Sequence, residues 1–105
     1  MKLMTKAIQK KAEKQYELGS DMNQKVVAKY FNPAGRGTWY LMNTEPGSDY
    51  AGGIVNLFDV EMGSFSINEL ESIKLPFGLS IERDMYFEPM KAKDVWDKLN
   101  RGERV

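Results

Sequence analysis

Between Lys25 and Phe65 the chain alternates runs of β-branched and aromatic residues with clusters of turn residues, and this constrains the fold most. "KVVAKYF" (25–31) and "GTWYLMN" (37–43) read as strands, because branched and aromatic side chains suit a pleated surface. Asn32-Pro33-Ala34-Gly35-Arg36 between them is a turn cluster. "YAGGIVNLFDVE" (50–61) reads as a third strand, with Gly52-Gly53 marking a bulge or a close backbone approach. Met62-Gly63 reads as a tight turn into a short strand, "GSF". Sequential strands with short connections favour an antiparallel meander.

Helical patterns flank this β-rich centre. Thr5 is placed to cap a helix running to about Leu18, with Gly19 as its stop. Met4, Ile8, Ala12 and Gln15 share one side; Lys6, Lys10 and Lys14 share the other. Glu13 and Glu17 lie among those lysines, and Lys10 can pair with Glu13, so the stripe reads as a solvated face. Ser66 followed by Glu69 is a capping box, so a short helix starts there with Ile67, Leu70 and Ile73 toward the core. "KLPFGLS" is a loop, and "IERDMYFEP" reads as an extended segment halted by Pro89. Ala92, Val95, Trp96 and Leu99 fit an amphipathic helix ended by Gly102, with Trp96 in the core.

Composition removes several chemistries. Cysteine and histidine are both absent from the 105 residues. Disulfides, thiolate nucleophiles, Cys/His zinc sites and histidine bases are therefore excluded. Any catalysis would rest on Asp, Glu, Lys, Tyr, Ser or Thr, and any metal would be a hard ion held by oxygens. Fifteen Lys and Arg balance fifteen Asp and Glu, which argues against strong nonspecific binding to nucleic acid. The charge is polarised: residues 1–29 hold seven Lys against three acids, and 30–70 hold Arg36 against five acids. No apolar run approaches the length of a membrane helix, and the start has no apolar signal-peptide core, so a cytoplasmic protein is expected.

Two constellations invite a chemical reading. Gly35-Arg36-Gly37 resembles a phosphate cradle, but such a loop opens a helix, and this one leads into a strand. No Lys-Ser or Lys-Thr follows, so a hairpin connection is expected. Trp39 and Tyr40 then project to opposite faces, leaving at most one for the core and the other for a surface platform. The second constellation is Glu82-Arg83-Asp84. In an extended chain Glu82, Asp84 and Tyr86 share one face, with Arg83, Met85 and Phe87 on the other. Carboxylates two apart on a strand can hold a cation or divide acid and base roles. The expected arrangement is architectural, a charged edge strand with Arg83 turned inward to a carboxylate and Glu82 and Asp84 in solvent. The aromatic residues Tyr30, Phe31, Phe58, Phe65, Phe77 and Phe87 read as core, with the methionines as gap fillers.

"GSFSINELESIKLPFGLSIERDMYFEP" (63–89) resembles the signature of a family of short bacterial proteins known only as a domain of unknown function. The "MKLMTKAI" start and "TWY" (38–40) fit the same pattern, and Ser80 stands where proline is expected. Members are common on conjugative plasmids and transposons. The resemblance implies a small cytoplasmic protein accessory to mobile DNA or its host, and it brings no catalytic residues.

The expected fold is α+β: one small domain over 1–105, with an antiparallel sheet of four or five strands. An N-terminal helix, a short middle helix and a C-terminal helix complete it. The expected function is non-catalytic binding of another protein or of itself, with no cofactor, no metal and no membrane. The candidate binding residues are Glu82, Arg83, Asp84, Tyr86, Trp39 and Tyr40. The alternatives are a small nucleic-acid-binding or anti-defence protein using the N-terminal lysines, and a small enzyme using Glu82 and Asp84.

Overall fold

The computed structural model describes residues 2–105. Thr5 caps helix α1 (Lys6–Lys14), its hydroxyl accepting from the Ile8 amide at 3.1 Å. Ala12 is buried, and Met4 and Ile8 pack on the same core. The helix is shorter than expected. Gln15 leaves it to donate its side-chain amide to the Lys25 and Met42 carbonyls, and a single 3-10 turn (Tyr16–Leu18) leads to Gly19.

Seven strands follow among the described residues. The run at 25–31 splits at Val27 into β1 (Lys25–Val26) and β2 (Ala28–Phe31), which enter different sheets. β3 spans Thr38–Thr44, β4 Tyr50–Asn56 and β5 Val60–Ser66. Helix α2 (Ile67–Ser72) comes next, then β6 (Glu82–Arg83), β7 (Met90–Lys91) and helix α3 (Ala92–Asn100). The main sheet is antiparallel with order β5-β4-β3-β2-β6, and β1 and β7 form a separate antiparallel pair. The α+β expectation with five strands holds.

Two expectations within the sheet fail together. The stretch 50–61 is not one strand: Leu57-Phe58-Asp59 turns the chain, and Met62-Gly63 lies inside β5 rather than in a turn. The ladder explains it, because Ile54 opposite Met62 and Gly53 opposite Gly63 pair the two halves with each other. The Gly52-Gly53 expectation is met. Leu41 pairs with Gly53 and Asn43 with Gly52, so Met42 is the extra residue of a bulge. A Cβ on Gly53 would sit 1.9 Å from the Tyr40 carbonyl oxygen, so only glycine permits this approach.

Both faces of the sheet are covered. Tyr30, Trp39, Leu41, Ala51 and Phe65 form one core with α1, α2, Leu3 and Ile81. Tyr40, Met42 and Ile54 form the other with Val26 and the Ala92-Val95-Leu99 stripe of α3. A buried amide network pins the segment before β1 to the bulge: Asn43 donates to Gln24 Oε1 (2.9 Å) and to the Gly19 carbonyl (2.8 Å).

Several side chains expected in the core lie elsewhere. Trp96 is half-buried, because it stands about 100° around α3 from Val95, at the margin of the buried stripe. Truncating it therefore removes less than the roughly 3–5 kcal/mol of a fully buried aromatic. Ile73 follows α2 in extended backbone and is exposed. Tyr30 and Phe65 are buried and Phe31 and Phe87 half-buried, whereas Phe58 and Phe77 are in solvent.

Candidate functional site

The triplet at 82–84 is held by main-chain geometry. Glu82 and Arg83 pair with Phe31 and Tyr30, and the Asp84 amide donates to the Lys29 carbonyl at 2.9 Å. Extension stops there. Asp84 Oδ1 accepts from the Tyr86 amide at 2.9 Å and its carbonyl from the Phe87 amide at 3.3 Å, a side-chain-closed turn. The expected extended run to Pro89 is therefore absent. Tyr86 does not share a face with the two carboxylates but stands in solvent, 95% exposed. Asp84 is half-buried and faces Lys29, with Oδ2 3.7 Å from Nζ; Glu82 is also half-buried. Lys29 further donates to the Val105 carbonyl at 2.5 Å and stands 6.0 Å from the Tyr40 ring centroid.

Arg83 turns to the N-terminal segment. Nη1 donates to the Lys2 carbonyl at 2.7 Å and, more weakly, to that of Leu3 at 3.4 Å. Leu3 is anchored from its other side as well, its amide donating to Glu71 Oε2 at 2.9 Å. Arg83 thus ties the segment before α1 to the edge of the sheet. The buried Tyr30 hydroxyl has no hydrogen-bond partner among the described residues, and burial pushes its phenol well above the ordinary range despite the opposing pull of Arg83.

The Gly35-Arg36-Gly37 stretch is a hairpin connection. The Asn32 amide donates to the Gly37 carbonyl (3.0 Å), Asn32 Oδ1 accepts from Ala34, and Nδ2 donates to the Arg36 carbonyl. Arg36 is exposed at the tip. Trp39 and Tyr40 point to opposite faces as expected, but both are buried, at 7% and 1% exposure. The expectation that one of them would be left as a surface platform fails because helices cover both faces of β3. Burial raises the Tyr40 phenol above its usual range, with Thr38 acting in the opposite sense.

Two features escaped the sequence reading. The first is Phe77, 97% exposed at a turn pinned on both sides. Leu75 donates to the Leu79 carbonyl at 3.0 Å, and Lys74 bridges to Ser80. Phe77 has φ 63°, a left-handed conformation that is uncommon for a bulky residue. Its signal was the Pro76-Phe77-Gly78 sequence itself, an aromatic between two punctuating residues. The second is a basic hollow of about 420 Å³ lined by Lys11, Lys14 and Lys25, with Val27 and Pro89 among its walls. Lys25 also stands directly opposite Lys91 in the β1–β7 pair, an unfavourable juxtaposition of like charges.

Among the described residues, no cluster of three or more acidic side chains is able to hold a metal ion, and no helix is long and apolar enough to cross a membrane. The arrangement defines a small α+β protein in which Asp84 pairs with Lys29 and closes a turn, Arg83 bonds main-chain carbonyls, and Phe77 stands exposed. The chain matches, over residues 1–104, the family described as "Protein of unknown function (DUF2958)", and it belongs to that family. No curated protein and no solved structure matches it.

Proposed function

We propose that the protein is a non-catalytic binding protein whose partner is another protein, engaged first through Phe77. The carrying observation is a bulky apolar side chain held in solvent by a turn that is bonded across its base and strained at its tip. Exposing an apolar ring in a left-handed conformation costs free energy, which contact with a partner offsets. Asp84 is committed to Lys29 and to its own turn, which counts against an acid–base role for Glu82 and Asp84. The setting is the one the resemblance implies: an accessory protein of bacterial mobile genetic elements, working in the cytoplasm. A photo-crosslinking amino acid at position 77, used in a bacterial cell carrying the protein, tests the reading. The expected product is a discrete protein adduct, lost when Ile73 and Leu79 are both changed to Ser. Absence of any protein adduct at 77 would overturn it.

A second reading is nucleic-acid binding through the basic hollow, favoured by Lys25 and Lys91 facing each other beside Lys11 and Lys14. Four phosphate contacts would give a salt slope of about −3.6 on duplex DNA. The zero net charge sets the expectation of binding weaker than roughly micromolar at physiological salt. Fluorescence anisotropy across a salt series separates the two readings.

A further inference from the structure

We infer that the outer edge of β5 is a self-association surface on which a second copy of this chain adds its own β5, antiparallel, to make one continuous sheet. The inference is independent of Phe77. Among the described residues no strand pairs with that edge, and it is seven residues long, Val60–Ser66. Ladder geometry shows which groups it presents. The Ile67 amide donates to the Asp49 carbonyl at 3.1 Å, and the pairing runs in unbroken register from Tyr50–Ser66 to Asn56–Val60. In an antiparallel pair, residues that exchange both bonds recur at every second position. Glu61, Gly63 and Phe65 therefore bond to β4, while Val60, Met62 and Ser64 turn their N–H and C=O groups outward, and Ser66, at the start of α2, follows the same alternation.

The usual protections of an edge are missing. The strand has no proline, no lysine and no bulge, and Glu61 is its one charge. Gly63 is exposed, with nothing within 4 Å of where a Cβ would be, so a neighbouring backbone can approach it freely.

A second copy fits this edge because the strand is complementary to itself. With Gly63 opposite Gly63 of the second copy, the whole of β5 overlaps. Met62 then lies opposite Ser64 and Ser64 opposite Met62, outward-facing residues meeting outward-facing residues. Glycine falls on the two-fold axis at the close, non-bonded position, where side chains would crowd most. Glu61 faces Phe65 rather than a like charge, and the chain carries no net charge to oppose pairing. Val60 and Met62, half-buried on the α3 face, lie along the seam.

Sedimentation equilibrium of the full chain over a wide concentration range tests this. The parent is expected to move from the 12.0 kDa monomer to twice that mass. Ser64→Pro removes an N–H that faces the open edge and leaves the β4 ladder intact, so it should remain monomeric with parent-like circular dichroism and Tm. Ser64→Lys, an exposed change that needs no backbone adjustment, should do the same and covers the case in which the proline variant misfolds. A parent that stays monomeric at millimolar concentration would overturn the inference, including where β5 binds only a foreign peptide. A dimer that survives Ser64→Lys, or that is lost instead with Phe77→Ser, would overturn it equally.

Discussion

The two edges of the main sheet are managed in opposite ways. At the β6 edge the strand is two residues long, and the chain is turned away at once by the Asp84 side chain. With Glu82 and Asp84 bonded toward β2, Arg83 alone faces its backbone outward, and its guanidinium is spent on the Lys2 and Leu3 carbonyls. At the β5 edge alternate residues face outward, and among the described residues no strand pairs with them. The charged triplet that looks chemical in the sequence is the finished edge, and the bland "VEMGSFS" is the unfinished one.

The most disruptive test acts on what holds the open edge in place. Gly53→Ala would drive a methyl into the Tyr40 carbonyl and displace the β4–β5 hairpin from β3. A loss of about 3 kcal/mol or more is expected in urea denaturation, with the β5 edge lost and the Arg83 anchorage retained. A near-neutral result would mean that the close approach at the bulge is not needed.

Next comes a direct contrast of the edges. Arg83→Met removes a charged donor from two main-chain carbonyls and should cost about 1–3 kcal/mol. Ser64→Lys on the opposite edge should change monomer stability by no more than about 0.5 kcal/mol. Equal effects would mean that the two edges are held alike.

The smallest effect is at Tyr30, beneath the β6 edge. Its buried hydroxyl has no hydrogen-bond partner among the described residues, so Tyr30→Phe should be neutral or stabilising by up to about 1 kcal/mol. The sign of its pH dependence follows from the raised phenol of the folded state. Stability is fully present below pH about 10, where the tyrosine is protonated in both states. It falls above that pH, because only the unfolded chain releases the proton, by up to about 1.4 kcal/mol per pH unit. Tyr30→Phe should make that decline shallower in denaturation curves taken on either side of pH 10; Tyr40 acts in the same direction and maintains the rest.

What was legible in the sequence was local. Thr5 and Ser66 cap their helices through side-chain oxygens, Asn32 closes its hairpin, and Gly52-Gly53 marks the bulge on β3. Each signal operates within a few residues. The failures depend on what lies across the fold. Leu57-Phe58-Asp59 contains no glycine, proline or asparagine, so the β4–β5 turn read as strand. Asp84 looked like one of a pair of carboxylates because only Lys29, from another strand, shows it to be an ion-pair partner. Trp39 and Tyr40 could not both be placed inside until helices were known to cover both faces. Phe77 reads as core from its residue type alone, and nothing in its neighbours says that the turn is bonded shut.

Amide hydrogen exchange along β5, followed by NMR as the protein is concentrated, tests the contrast between the edges most directly. At low concentration the Val60, Met62 and Ser64 amides should exchange fast, and the Glu61, Gly63 and Phe65 amides slowly. As concentration rises, the first set should become protected while the second and the Asp84 amide stay as they were. Protection of Met62 and Ser64 already at low concentration, or fast exchange at every concentration, would contradict the account.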